Sequence, residues 1–264
     1  MTYPIYQVDA FSKTPFGGNP AAVMQMDSFL SDDVLLKIAK ENNLSETAYI
    51  VKASQGEAFD YHLRWFTPAV EVDLCGHATL AAAHVVLNIT FPHINQVSFQ
   101  TKSGLLTVTS EGDKLKMDFP IQGPEPCEPH TGLYGIIGQK PKEIYKNNRD
   151  HLLVYESQDI VESLRPDFSQ LKKLGEEGFV CTAPGNDHDF VSRCFFPAYN
   201  IDEDPVTGSA HVLSGPYWAS KLGKKNLTAC QISERRGSLW LEIKGDRIFI
   251  SGYACLVMTG VMVL

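Results

Sequence analysis

Residues 99–119, FQTKSGLLTVTSEGDKLKMDF, align without a gap with residues 232–252, ISERRGSLWLEIKGDRIFISG, at an offset of 133 residues. Each segment has two runs of alternating apolar and polar side chains, joined by a Gly-Asp pair that begins at Gly112 or Gly245. Alternation on both sides of a Gly-Asp pair is typical of a β-hairpin. Because this hairpin recurs after about half the chain, the sequence predicts a duplicated fold.

Two shorter matches lie upstream of the hairpins, in the same order. FTPA at residues 66–69 corresponds to FFPA at 195–198, and GHA at 76–78 corresponds to GSA at 208–210. Unrelated hairpins also share alternation and glycine turns, so one match would carry little weight. Three matches in the same order favour duplication.

A helix is predicted after the glycine turn of each half. Residues 78–87 are apolar on nearly all sides, so this helix must be enclosed by other elements. The equivalent run, 210–222, contains Pro216, which is expected to kink the helix or displace its start. Ser31 is a further predicted helix N-cap, and the partner of its helix is expected at residues 167–174.

The repeat also predicts the domain boundaries. We place the first half at residues 1–119, a Pro-rich linker at 120–130 and the second half at 131–264, with the option that the terminal strand crosses to the first half. The predicted fold class is α+β, with two pseudo-symmetric domains that face a common cleft. Each domain is expected to be a strongly curved, mostly antiparallel sheet wrapped around its central helix.

Composition limits the possible functions. The 264-residue chain has 23 Lys and Arg against 31 Asp and Glu, a net charge of −8, which argues against nucleic-acid binding through bulk positive charge. The apolar run at 80–87 is too short to span a bilayer, and residues 1–11 lack the pattern of a signal peptide. The six cysteines contain no Cys-x-x-Cys pair and are read as free thiols. We therefore expect a cytoplasmic protein without a membrane or nucleic-acid partner.

Polar residues concentrate in four clusters at predicted turns and strand ends: FGGNP at 16–20, LSETA at 44–48, DLCGH at 73–77 and DEDPVTGS at 202–209. Each cluster alone also has a purely structural explanation, such as a solvated strand end for Glu46 or a helix cap for Asp204. Metal, phosphate-loop and serine-hydrolase motifs do not occur, so no metal or cofactor is predicted. The free N–H groups at the start of two central helices favour a small carboxylic acid as ligand.

Four runs resemble the phenazine-biosynthesis isomerase family, called PhzF-like: VDAFSKTPFGGNPAAV from Val8, LSETAYI from Leu44, RWFTPAVEVDLCGHATLAAA from Arg64 and DEDPVTGSAH from Asp202. The resemblance covers nearly the whole chain in the expected order. It implies the diaminopimelate epimerase fold, a homodimer and a cofactor-independent isomerisation. In that reaction a proton leaves one ring carbon of a dihydro-hydroxyanthranilate and another proton is returned.

The resemblance also assigns roles to residues. Glu46 resembles the acid/base that removes and returns the proton. Seven residues are expected to bind substrate: Asn19, Ser45, Gly76, His77, Asp204, Gly208 and Ser209. A minor role is left open for Cys75 and Thr207. A carboxylate positioned for proton transfer typically contributes about 10²- to 10⁴-fold to a rate, and fixed dipoles stabilise the charge that develops.

Two alternatives remain open at this point. The first is an epimerase or racemase of an amino or imino acid. Related racemases use two thiols, one before the glycine of each central helix, whereas here Cys75 has Thr207 as its counterpart. A threonine hydroxyl is too weak an acid to replace a thiol, which disfavours a symmetric two-thiol reaction. The second alternative is a non-catalytic family member that binds a ligand or a protein partner.

Overall fold

The computed structural model describes residues 1–175 and 178–264 and divides into two compact units. Unit 1 comprises Met1–Asp118 with Ser251–Leu264, and unit 2 comprises Phe119–Ile250. The C-terminal segment therefore belongs with the N-terminal half of the chain. Within the described residues, every helix is too short or too polar to cross a membrane.

The first half of the chain contains, in order, β1 (Thr2–Ala10), β2 (Asn19–Met26), α1 (Asp32–Asn42), β3 (Glu46–Lys52), β4 (Tyr61–Phe66), β5 (Glu71–Val72), α2 (Gly76–His84), β6 (Gln96–Thr101), β7 (Gly104–Glu111) and β8 (Lys114–Pro120). The second half contains β9 (Glu125–Pro126), α3 (Leu133–Ile137), β10 (Glu143–Lys146), β11 (Asp150–Val154), α4 (Gln158–Ser163), α5 (Phe168–Leu171), β12 (Gly178–Pro184), β13 (Phe190–Phe196), β14 (Ile201–Asp204), α6 (His211–Leu222), β15 (Asn226–Gln231), β16 (Gly237–Lys244), β17 (Arg247–Gly252) and β18 (Ala254–Val263).

The two units have the same strand topology. In unit 1, β2 runs parallel to β3, β4 is antiparallel to β3 and parallel to β6, and β6 is antiparallel to β7. In unit 2, β11, β12, β13, β15 and β16 repeat these pairings with the same directions. The predicted α+β fold, with mostly antiparallel sheets and a repeated unit, is confirmed.

The predicted hairpins lie where the sequence repeat places them. β7 and β8 pair in antiparallel register around Gly112, whose φ is +62°. β16 and β17 flank Gly245, whose φ is +61°. Glycine adopts this left-handed conformation without the steric cost that a side chain would add, which explains why both copies have a glycine here.

The C-terminal strand β18 pairs with β1 along its length, from Ala10↔Ala254 to Thr2↔Val263. Since β1 also pairs with β2, this strand extends the sheet of unit 1. The Pro-rich segment 120–130 contains β9, which pairs with β10 in unit 2.

The central helix of unit 1 is enclosed, as its composition predicts. All residues of α2 except His84 are buried, and the helix contacts β1, β2, β3 and β18. It begins two residues before the predicted start and changes at Val85–Thr90 to the wider π-helical turn. In this turn the Thr90 hydroxyl donates to the Val85 carbonyl at 3.2 Å.

The central helix of unit 2 starts at His211, one residue after the predicted position, and contains Pro216. Proline lacks the N–H that would bond the carbonyl four residues earlier, here that of Val212. The backbone N–H of Gln122 donates to this carbonyl at 3.3 Å instead. The helix therefore accommodates the proline because another segment of unit 2 supplies the missing donor.

Both predicted peripheral helices form. Ser31 occupies the N-cap of α1, but its side chain makes no capping bond, and its carbonyl accepts from Val34 and Leu35. The helix predicted at 167–174 consists of α5 and a 3₁₀ turn at Lys172–Leu174. Its N-cap is Asp167, whose carboxylate accepts from the backbone N–H of Gln170 at 3.0 Å.

Candidate active site

Three segments of unit 1 bring the predicted acid and its neighbours together. Glu46 is the first residue of β3, Asn19 is the first residue of the parallel strand β2, and Cys75 and His77 lie at the start of α2. Because the register of β2 and β3 pairs Ala21 with Glu46, the two strands begin at the same edge of the sheet. The start of the buried helix α2 meets this edge.

His77 is the centre of the cluster. Its Nε2 lies 2.9 Å from Glu46 Oε2, while its Nδ1 lies 3.2 Å from Asn19 Nδ2 and 3.5 Å from Cys75 Sγ. The side chains of His77 and Glu46 are only 6% and 10% exposed. The 2.9 Å contact is an ion pair when His77 is protonated. Within residues 1–175 and 178–264, Glu46 Oε2 and His77 Nε2 have no hydrogen-bond partner.

The environment determines the protonation state of His77 and Cys75. Burial lowers the pKa of His77, but the acidic groups beside it, Cys75 and Glu46, raise it by more, so the pKa lies well above its ordinary value. Burial, together with Glu46, raises the pKa of the Cys75 thiol. Glu46 thus favours a proton on His77, while burial favours the uncharged thiol form of Cys75.

Glu46, Cys75 and His77 place a carboxylate, a thiol and an imidazole within 4.8 Å of one another. The sequence analysis did not recognise this donor set, because Glu46 comes from a distant strand. Zn²⁺ accepts such ligands, but it binds a deprotonated thiol and a neutral imidazole. Binding of such an ion would therefore release the protons of Cys75 and His77.

The other predicted residues of unit 1 flank this cluster. Ser45 directly precedes Glu46 and is half-buried, and Gly76 is the buried first residue of α2. Cys75 is the N-cap, and its carbonyl accepts from both the backbone N–H and the hydroxyl of Thr79. The start of α2 is thereby fixed next to His77.

The predicted residues of unit 2 lie in one turn between β14 and α6. Asp204 and Thr207 are both buried, and the Thr207 hydroxyl donates to Asp204 Oδ2. The side chain of Gln231, on β15, is fully buried and bonds to this turn at two points. Its Nε2 donates to the Asp204 carbonyl at 2.7 Å, and its Oε1 accepts from the Thr207 N–H at 2.8 Å. The sequence analysis missed Gln231, since nothing in its local pattern distinguishes it from an ordinary strand residue.

Ser209 contacts a residue that the sequence analysis also missed. Arg149 Nη2 donates to Ser209 Oγ at 2.8 Å, and the same guanidinium is paired with the buried Asp150. A charged Arg-Asp pair before a strand is a visible signal in the sequence, but its partner Ser209 is not. Gly208 is buried between Thr207 and Ser209.

His211, at the end of the last motif, has a structural role. It is fully buried, its Nδ1 lies 2.9 Å from the Thr207 carbonyl, and its ring packs against Phe190. Burial lowers its pKa from 6.5 to about 4, although the Thr207 carbonyl partly opposes this shift. The imidazole is therefore neutral at physiological pH.

This shift predicts a loss of stability in acid. Because the unfolded chain binds the proton near pH 6.5 and the folded chain only near pH 4, the contribution of His211 is present above pH 6.5 and lost as the pH falls towards 4. The expected loss is about 3 kcal/mol in the free energy of unfolding. Urea unfolding at pH 4 to 7 should show this dependence in the wild type and not in His211→Phe. The control His93→Gln, at an exposed histidine, should retain it; equal pH dependence in both variants would contradict the prediction.

The chain is similar over nearly its whole length to known proteins. A family model described as phenazine biosynthesis-like protein (PhzC-PhzF) matches residues 8–260. An uncharacterized isomerase of Pseudomonas aeruginosa is 48% identical, with 99% of each chain covered. The crystal structure of a PhzF-family protein from Enterococcus faecalis has a TM-score of 0.94 at 44% identity and covers all of both chains.

A more distant solved structure shares the fold alone. A hydroxyproline epimerase from Agrobacterium vitis has a TM-score of 0.62 at 9% identity, covering 98% of this chain and 92% of its own. The predicted likeness to epimerase-type folds is therefore confirmed.

Proposed function

The chain belongs to the phenazine biosynthesis-like (PhzC-PhzF) family, and we propose that it is an isomerase which acts by proton abstraction and return. Its substrate is a small amino or hydroxy carboxylic acid with a cyclic, aromatic-like ring. Glu46 is the acid/base, and the reaction needs no cofactor. The similarity to uncharacterized isomerases supports the general class of reaction.

The observation that supports this role is the buried contact between Glu46 and His77. The Glu46 carboxylate accepts a proton from a ring carbon next to a double bond, as the C–H bond breaks and its electron pair moves into the conjugated system. The same proton-carrying group then protonates a second carbon, which restores Glu46. Neither step changes the oxidation state of the molecule as a whole.

His77 contributes both before the proton transfer and during it. Its imidazolium stabilises the carboxylate before the transfer, and it remains a positive charge near the negative charge that develops on the substrate. A fixed charge in a site shielded from water is more effective than the same charge in solvent. His77 therefore belongs to the substrate-binding residues and also orients the acid/base.

The remaining binding residues are part of the proposal. The buried turn that contains Asp204 is held by Thr207 and Gln231, which supports a fixed position for the Asp204 carboxylate. The Asp204 carboxylate accepts hydrogen bonds from polar groups of the substrate, and the Ser209 hydroxyl donates one. The remaining hydrogen bonds to the substrate come from the backbone N–H groups of Gly76 and Gly208, the side-chain amide of Asn19 and the hydroxyl of Ser45.

An epimerase of an amino or imino acid is the second candidate. The fold shared with the hydroxyproline epimerase and the position of Cys75 directly before Gly76 favour it. Two features count against it. The raised pKa of Cys75 favours its thiol form, and the hydroxyl of its counterpart Thr207 donates a hydrogen bond to Asp204. A non-catalytic binding role is the third candidate.

Solvent-deuterium incorporation separates the candidates. The wild-type protein is incubated in D₂O with a dihydro-hydroxyanthranilate and, separately, with trans-4-hydroxy-L-proline, and products are analysed by NMR. We expect deuterium at a ring carbon of the first compound together with a shifted double bond. Deuterium only at the α-carbon of hydroxyproline, with inversion, would favour the epimerase. Absence of both deuterium exchange and a shifted double bond would favour the binding role.

We also propose a cytoplasmic homodimer. Cys75, Cys181, Cys194 and Cys230 are buried free thiols, which is typical of a reducing compartment. Five apolar side chains at the C-terminal edge of unit 1 are exposed, a feature typical of subunit contacts: Leu256, Met258, Val261, Val263 and Leu264.

A further inference from the structure

Unit 2 contains a counterpart of the contact between Glu46 and His77. In the sequence repeat, His77 corresponds to Ser209, and each follows the glycine near the start of a central helix. His77 contacts an acid on the sheet edge, whereas Ser209 accepts a hydrogen bond from Arg149 Nη2 at 2.8 Å. At equivalent places of the duplicated fold, one unit therefore has a carboxylate and the other a guanidinium.

The strand register shows on which strand the acid of each unit lies. Between β2 and β3, Ala21 lies opposite Glu46, and between β11 and β12, Asp150 lies opposite Gly178. The acid is thus on the second strand in unit 1 and on the first strand in unit 2, with a small residue opposite it each time. A Cβ on Gly178 would lie 2.5 Å from Asp150 Oδ1 and 2.2 Å from the Phe196 ring. The glycine leaves room for Asp150.

Asp150 fixes the orientation of Arg149. Arg149 Nε and Nη2 donate to Asp150 at 2.8–3.1 Å, and the Asp150 residue is 1% exposed. The Asn147 side-chain oxygen accepts from the backbone N–H groups of both residues. The guanidinium is therefore held by a buried carboxylate, although the Arg149 side chain is 42% exposed.

This arrangement leaves donors available for a ligand. Within the described residues, Arg149 Nη1 makes no hydrogen bond, and Nη2 uses Asp150 and Ser209 as acceptors. Because Ser209 Oγ accepts from Arg149, its own hydroxyl proton can be donated to a ligand. A preorganised guanidinium N–H and a hydroxyl, next to the start of α6, match the two oxygens of a carboxylate.

We propose that Arg149, together with Ser209, forms a carboxylate-binding site of unit 2, and that Arg149 makes this site select acids over neutral analogues. This inference goes beyond the proposed function, because it concerns an anion site within unit 2 that does not depend on proton transfer by Glu46. Asp150 is a positioning residue, since it acts by orienting the guanidinium. The anion site of unit 2 thus occupies the position that the Glu46–His77 pair occupies in unit 1.

Isothermal titration calorimetry with 2-aminobenzoate and its neutral analogue 2-aminobenzamide tests the proposal on the full chain. We expect the wild type to prefer the acid by about 10- to 100-fold, the range of a charge-assisted hydrogen bond. Arg149→Gln should weaken binding of the acid by that factor and leave the amide unchanged. Arg149→Lys should retain part of the preference, and the control Arg165→Gln, in the same unit, should retain all of it.

Three results would overturn the proposal: no preference in the wild type, binding of the acid by Arg149→Gln at wild-type affinity, or equal weakening of both ligands. Thermal unfolding reports whether each variant folds. If Arg149→Gln does not fold, Ser209→Ala and Arg149→Lys decide, because each must weaken the acid selectively. Glu46→Gln should keep the full preference, so failure of the proton-transfer role is distinguishable from failure of the carboxylate site.

Discussion

Replacing Glu46 with glutamine is expected to lower the rate of solvent-deuterium incorporation into the dihydro-hydroxyanthranilate by about 10²- to 10⁴-fold, the usual contribution of a positioned acid/base. Glutamine has nearly the volume of glutamate and can occupy the same buried position beside His77. Its amide does not accept and return a proton under these conditions. The substitution therefore removes the chemistry while it retains the shape of the site.

Two comparisons make this result specific. Glu41→Gln changes an exposed glutamate at the end of α1 and should leave the rate unchanged. Thermal unfolding of Glu46→Gln should remain cooperative, which shows that the site is still folded. Wild-type exchange in Glu46→Gln would remove this residue as the proton carrier, whatever the identity of the substrate.

Replacing His77 with leucine is expected to destabilise the protein by about 3–5 kcal/mol, the usual cost of removing one partner of a buried ion pair. The substitution leaves the Glu46 carboxylate buried without its positive neighbour. Urea unfolding should be measured near pH 6. A histidine with a raised pKa contributes its stabilisation in full below about pH 6.5 and loses it as the pH rises through the folded-state pKa.

A double-mutant cycle distinguishes the ion pair from simple packing. With Gln in place of Glu46 there is no buried charge to leave unpaired, so His77→Leu should cost much less in that background. The control His62→Leu, at a half-exposed histidine paired with Glu57, should cost little, because surface ion pairs contribute about 0–1 kcal/mol. Equal costs of His77→Leu in both backgrounds would contradict the ion pair.

The two units illustrate how one topology supports different chemistry. Both place a small residue opposite an acid at the same sheet edge, Ala21 opposite Glu46 and Gly178 opposite Asp150. In unit 1 the acid faces His77, whereas in unit 2 the acid is neutralised by Arg149. This difference explains why the proposed proton carrier occurs in one unit, and why a symmetric two-base reaction is not the preferred function.

The sequence by itself determined the duplicated fold, both glycine turns, the enclosed helix α2 and the four polar clusters. These features depend on local properties, namely side-chain alternation, helix periodicity and the conformational freedom of Gly112 and Gly245. Tertiary structure decided the rest, including the place of β18 in unit 1, the Glu46–His77 contact, the support of Gln231 and the Arg149–Ser209 bond. Strand register brings these residues together across long stretches of chain, and no local pattern encodes which strand pairs with which.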